Sequence, residues 1–189
     1  MKDTLRPGIE HEFRFRISTS KTVSALFPES KEFQAMPEVL ATGYMIGLIE
    51  WTCIQAVNPH LNWPQEQTVG THIDVSHIAA TPPGLEVAAR VKLLEVDRRR
   101  LLFEVEVHDG VELISRGKHE RFIIDKARFD AKMKEKTKST STTTTMSSSS
   151  CSTGISSLTL RVGLFIFNYA KVLLYQRGSY TALVPLNAR

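Results

Sequence analysis

The sequence predicts an α+β domain in which an antiparallel sheet wraps around one long helix. Two observations carry this prediction. "EVLATGYMIGLIEWTCIQAV" (38–57) reads as a helix that is apolar nearly all round, and such a helix has to be buried nearly all round. One strand-like run precedes it and four follow it, with hairpin signals between them.

In chain order, "IEHEFRFRI" (9–17) alternates Ile, His, Phe, Phe and Ile with charged residues, the pattern of a strand with one wet face. "PESKEFQAMPEV" is a Pro-bounded loop or short helix. The long helix is expected from Glu38 to Val57, stopping before Asn58-Pro59. After the loop "NWPQEQ" come "TVGTHIDVSHIA", "LEVAARVKLLEV", "LLFEVEVHD" and "VELISRGKHERFIID". Asp97-Arg98-Arg99-Arg100 joins the second of these runs to the third, and Asp109-Gly110 is a strong turn signal between the third and fourth. Strand, helix, then antiparallel meander is the order of the hotdog fold.

The 189 residues suffice for one domain with a real core. The formal charge of +4 does not describe that domain. All 20 Asp and Glu lie within residues 1–137, whereas Lys138, Arg161, Lys171, Arg177 and Arg189 have no acidic companion. The basic excess belongs to the end of the chain, and no basic stripe interleaved with aromatics suggests a nucleic-acid partner. Residues 138–153, "KSTSTTTTMSSSSCST", are low in complexity and read as a disordered linker, because they cannot bury enough apolar surface to offset the entropy of ordering. Residues 154–189 form an apolar, basic tail. Arg161, Asn168 and Lys171 interrupt it, leaving no uncharged run near the roughly 20 residues of a membrane span. Unstructured appendage is the preferred reading; a tail anchor and an interfacial segment are less favoured. Only two cysteines, Cys53 and Cys151, and an N-terminus without an apolar signal core fit a cytoplasmic protein.

Glu50 is the anomaly. A carboxylate inside an apolar helix costs several kcal/mol to bury unless it is paired, protonated or used. Thr42 precedes it by eight residues, which on a helix is about 80° of rotation and ~12 Å of rise. The two can line one elongated pocket but cannot touch. Gly43 and Gly47 between them suggest that something approaches the helix backbone closely. His77, after "THIDVS" and before "ATPPG", is the best partner for Glu50; alternation places it on one strand face with Thr71, Ile73 and Val75. His72 and Asp74, on the other face, form only a weak metal-ligand signal, and a polar pair on a wet face is the preferred reading. "GKHER" puts His119 and Arg121 on one face of the last strand, either at a site or on a solvated surface. Arg98, Arg99 and Arg100 suit a solvated hairpin tip better than a phosphate site.

"KTV" (21–23), "FPES" (27–30), "PEVLATGYMIGLIEW" (37–51), "THIDVSHIAATPPGL" (71–85), "HDGV" (108–111) and "GKHER" (117–121) together resemble the fluoroacetyl-CoA thioesterase group of hotdog thioesterases. The likeness runs from Met1 to about Lys136 and leaves the tail without a counterpart. It implies an acyl-CoA thioester hydrolase, a homodimer with sites at the subunit interface, and no metal or cofactor. It implies Thr42, Glu50 and His77 as catalytic residues and Gly70 and Arg121 as substrate contacts. Glu50 would be nucleophile or base, and His77 would handle protons. The fluoroacetyl-specific pattern closes its pocket with two aromatics. Phe33 matches one, but Met36 stands at the other, which implies a broader short-chain acyl pocket. Two other functions compete: a hotdog enoyl-CoA hydratase, disfavoured because Asp74 and His77 are expected on opposite strand faces, and a non-catalytic acyl-CoA sensor whose tail recruits a partner or membrane.

Overall fold

A computed structural model describes residues 1–144. Five strands, β1 (Glu10–Arg16), β2 (Glu66–Val75), β3 (Glu86–Asp97), β4 (Arg100–His108) and β5 (Leu113–Asp125), form one antiparallel sheet in the order β1-β3-β4-β5-β2. Two short helices, α1 (Val23–Leu26) and α2 (Lys31–Gln34), precede the long α3 (Thr42–Val57), and α4 (Lys126–Thr144) follows the sheet. The expected α+β hotdog arrangement is therefore present.

Alternation builds the core. Val87, Ala89, Val91 and Leu93 of β3 and Leu101, Phe103, Val105 and Val107 of β4 are buried, while Arg90, Lys92, Glu104 and Glu106 between them face solvent. The buried side of the sheet receives Met45, Ile49, Cys53, Ala56 and Val57 of α3. Arg98 takes a left-handed turn conformation, φ 54°, between β3 and β4. At the next hairpin Asp109 accepts from the backbone N–H groups of Val111 and Glu112, both at 2.9 Å. Arg100 is spent on Glu95 and Glu120, in keeping with a solvated tip.

Four details differ from the sequence reading. First, α3 begins at Thr42 rather than Glu38. Val39, Leu40 and Ala41 are held in an extended strap by backbone hydrogen bonds with Val23, Thr81 and Lys21, and a strap so paired cannot join the helix. Second, the sheet covers α3 on one side only. Thr42, Gly43, Gly47 and Trp51 are exposed, and Tyr44, Ile46, Glu50 and Ile54 are half-buried, so an apolar face of the helix lies open within this chain. Third, β2 carries a bulge between Gly70 and His72 and ends at Val75, so strict alternation does not reach from Thr71 to His77. Fourth, α4 continues to Thr144, past the boundary expected after residue 137. The rest of the expected linker and the 154–189 tail lie outside the described residues.

Candidate active site

The site residues fall into two groups, one at each end of the open face of α3. At its start, Thr42 Oγ1 is hydrogen-bonded to His77 Nδ1 at 2.8 Å. His77 is delivered by the segment just after β2, whose Ile78 N–H donates to the Ile114 carbonyl of β5. Burial lowers the pKa of His77 below the usual histidine value, with the Ala79 backbone opposing. Its Nε2 is buried and makes no hydrogen bond of normal geometry with the described residues.

Further along the helix, Glu50 turns toward β5 and β2. Its Oε1 lies 3.4 Å from Arg121 Nη1 and 3.7 Å from His119 Nε2. The Glu50 side chain is 41% exposed, whereas Arg121 and His119 are each 2% exposed. A buried cation thus sits beneath a carboxylate that still reaches the open face. Every nitrogen of Arg121 is occupied: Nε donates to Thr68 Oγ1 at 3.0 Å, Nη2 to the Thr68 carbonyl at 2.9 Å, and Nη1 to His119 Nε2 at 3.0 Å. Burial pulls the guanidinium below its usual value, and the Glu50 carboxylate opposes that pull. Within this chain, Arg121 meets Glu50 rather than open space.

Gly70 explains itself here. A Cβ at this position would overlap the Glu50 carboxylate and meet His119 Cε1 at 3.1 Å, so the absence of a side chain is what lets Glu50 lie against β2. Gly43 has a different reason: a Cβ there would meet Leu26 Cδ2 of α1 at 3.3 Å. Beyond its chain neighbours and the helix's own backbone, no heavy atom of the described residues lies within 4 Å of where a Cβ at Gly47 would be. One expected close approach to the helix is therefore made by α1, and the other is not made by the described residues. Cys53, one turn on from Glu50, has its thiol pushed up to about 12, chiefly by burial, and is no nucleophile.

The loop carrying Phe33 and Met36 forms α2, with Ser30 capping it by accepting from the Phe33 N–H at 3.3 Å. Phe33 stacks edge-on with Phe27, ring centroids 5.0 Å apart, and Met36 is 53% exposed. The aromatic partner of Phe33 is thus Phe27. His72 and Asp74 have exposed side chains, and no group of three or more His, Cys, Asp or Glu among the described residues is placed to hold a metal. An open groove of about 340 Å³ on the outer face runs past Glu10, Glu12, Arg90, Lys92, Glu104 and Glu106, far in chemistry from the site residues.

Sequence reasoning left His119 undecided between site and surface. It is buried in the site, with Nδ1 donating to the His72 carbonyl at 2.7 Å. Its alternation with Arg121 on one strand face was the available signal.

A family model of fluoroacetyl-CoA-specific thioesterases matches residues 21–127. The fluoroacetyl-CoA thioesterase of Streptantibioticus cattleyicolor is 48% identical over 135 residues, 71% of this chain and 96% of that protein. The chain belongs to the fluoroacetyl-CoA-specific thioesterase family. A solved structure of the fluoroacetyl-CoA thioesterase FlK is 47% identical, covers 71% of this chain and 98% of its own, and superposes with a TM-score of 0.69. A variant of FlK solved in complex with acetyl-CoA is similar to the same degree, with a TM-score of 0.69 over 70% of this chain and 99% of its own. A Thermus thermophilus member of the thioesterase superfamily, 22% identical with a TM-score of 0.66 over 74% of this chain and 98% of its own, shares the fold.

The buried histidines set an acid limit on this site. Burial is the main cause that holds His119 down to about 4 from 6.5, and it lowers His77 as well. A histidine whose folded value is depressed binds its proton more readily in the unfolded chain. Its contribution is therefore complete above about 6.5 and is lost as pH falls toward about 4. Urea midpoints of the full chain should fall across this window, and less steeply in His119→Gln. Equal slopes for the two proteins would contradict the assignment.

Proposed function

We propose that this family member hydrolyses short-chain acyl-CoA thioesters to the free acid and CoA, with Glu50, Thr42, His77 and Gly70 at the reacting atoms and Arg121 supporting Glu50. The single observation that carries the reading is the Glu50 carboxylate, anchored on buried Arg121 and Gly70 yet still reaching the open face of α3. A carboxylate so placed is held in position by the protein and can still meet a substrate.

In this reading Glu50 delivers the attacking oxygen to the thioester carbonyl carbon. The oxygen is either its own, giving a transient anhydride that water then opens, or that of a water it deprotonates. The carbonyl oxygen gains charge and is met by the Gly70 backbone N–H. The carbon–sulfur bond breaks, and the Thr42–His77 pair hands a proton to the departing sulfur. The net change adds one water and releases the acid and the free thiol. Neither a metal nor a cofactor enters the scheme, and residues 1–137 carry all of it.

The same reading calls for a second copy of the chain. Thr42 and Glu50 are separated by ~12 Å along one helix, so one copy does not bring Thr42–His77 to its own Glu50. A two-fold partner seated on the open face of α3, beside the unpaired edge of β2, would dry the Glu50 pocket and set its own Thr42–His77 pair across from it. The proposed location is the cytoplasm. No helix among the described residues is long and apolar enough to cross a membrane.

Mixing tests this arrangement. Chains carrying Glu50→Gln and chains carrying His77→Ala should each be inactive alone. Co-expressed, half of the dimers are mixed, and each mixed dimer holds one intact site, so thiol release should recover to about a quarter of the wild-type rate. A mixture as inactive as its components would rule out a shared site. The acyl pocket gives a second expectation. With Met36 exposed and flexible rather than aromatic, acetyl-CoA and butyryl-CoA should be cleaved within about tenfold of fluoroacetyl-CoA in kcat/KM. A fluoroacetyl preference of several hundredfold would show that residue 36 does not set this breadth.

A further inference from the structure

His119 occupies the point where three parts of the site meet. On one side, its Nδ1 donates to the carbonyl of His72, the residue just past the bulge that follows Gly70. On the other, its Nε2 accepts from Arg121 Nη1 at 3.0 Å and lies 3.7 Å from Glu50 Oε1. A carbonyl can only accept and a guanidinium can only donate, so both ring nitrogens are committed. The ring is the uncharged Nδ1–H tautomer. The 3.7 Å approach to Glu50 is accordingly no ion pair, because Nε2 carries no proton. With its other nitrogens on Thr68, Arg121 has no freedom to turn away once Nη1 is held.

We propose that His119 is a positioning residue for thioester cleavage: as the neutral Nδ1–H tautomer it ties the bulged edge strand β2 to Arg121 and thereby holds the Glu50 carboxylate against Gly70. The inference rests on the reading of Glu50 given above and adds a residue that acts through Glu50 and Arg121 without touching substrate. Losing the tie frees Arg121 and the bulge together. A small displacement of an attacking group is costly in rate while leaving much of substrate binding intact. A histidine that only fills space would instead alter stability and leave turnover per folded molecule unchanged.

Acetyl-CoA hydrolysis by the full chain decides between these roles. His119→Leu keeps much of the volume but removes the Nε2 acceptor and the Nδ1–H donor. His119→Gln offers an amide oxygen to Arg121. Folded His119→Leu should lose kcat by about ten- to a hundredfold, with KM within about threefold of wild type, and His119→Gln should recover most of the loss. The proposal is overturned if folded His119→Leu keeps kcat within about twofold, or if His119→Gln is no better than His119→Leu. Glu50→Gln measured alongside separates the failures. An active Glu50→Gln sinks the reading of Glu50 itself, whereas an inactive one beside an unaffected His119→Leu sinks only the role of His119. Should His119→Leu not fold, nitrogen-15 resonances of the wild-type imidazole decide. A protonated Nδ1 and bare Nε2 near pH 7 support the tie, and an Nε2–H tautomer overturns it.

Discussion

The contact between Glu50 and the buried guanidinium of Arg121 is the constraint on which the rest of the site depends. Removing a carboxylate from water is costly, and removing an arginine is costly too, so neither belongs near an apolar core alone. Together they are tolerable because all three nitrogens of Arg121 are also hydrogen-bonded to Thr68 or His119. The arrangement is asymmetric. Arg121 is sealed in, while the carboxylate stays half open to the bare side of α3. A carboxylate held this way is fixed from below and still reachable from the bare side of α3.

The fold supplies the geometry. The antiparallel register sets Gly70 of β2 opposite Arg121 of β5. The bulge that follows turns the His72 carbonyl to the His119 ring, and the missing side chain at Gly70 admits the carboxylate. Helix α3 carries Glu50 at the margin of its open face, while Met45, Ile49 and Cys53 anchor its buried face in the core. At the other end of the helix, the strap of Val39, Leu40 and Ala41 fixes where α3 begins and thus where Thr42 meets His77. One helix therefore carries Glu50 and the Thr42–His77 pair eight residues apart, with an apolar face left uncovered between them within this chain.

Much of this was legible in the sequence, because the site residues are chemically out of place. A lone carboxylate in an apolar helix drew attention to Glu50, and His77 stood out at a strand end. The sheet, its hairpins and the central helix followed from periodicity. What stayed hidden has specific causes. Apolar residues around α3 announce burial without saying whether this chain's own sheet or a second copy provides it. The bulge after Gly70 leaves "THIDV" looking like regular alternation. Buried His119 and Arg121 alternate with exposed residues exactly as a wet strand face would, since period-two patterns record sides and not solvent. Gly43 and Gly47 looked equivalent, yet among the described residues only Gly43 has a side chain, Leu26, pressed on it.

The most direct measurement of the central claim pairs binding with turnover in one variant. Glu50→Gln keeps the shape of the side chain and removes its charge. By calorimetry it should bind acetyl-CoA with an affinity within about tenfold of the wild-type KM, and by thiol detection it should release CoA at least about a thousandfold more slowly than wild type. Release of CoA at a rate close to wild type would contradict the account, because the anchored carboxylate would then have no part in breaking the thioester.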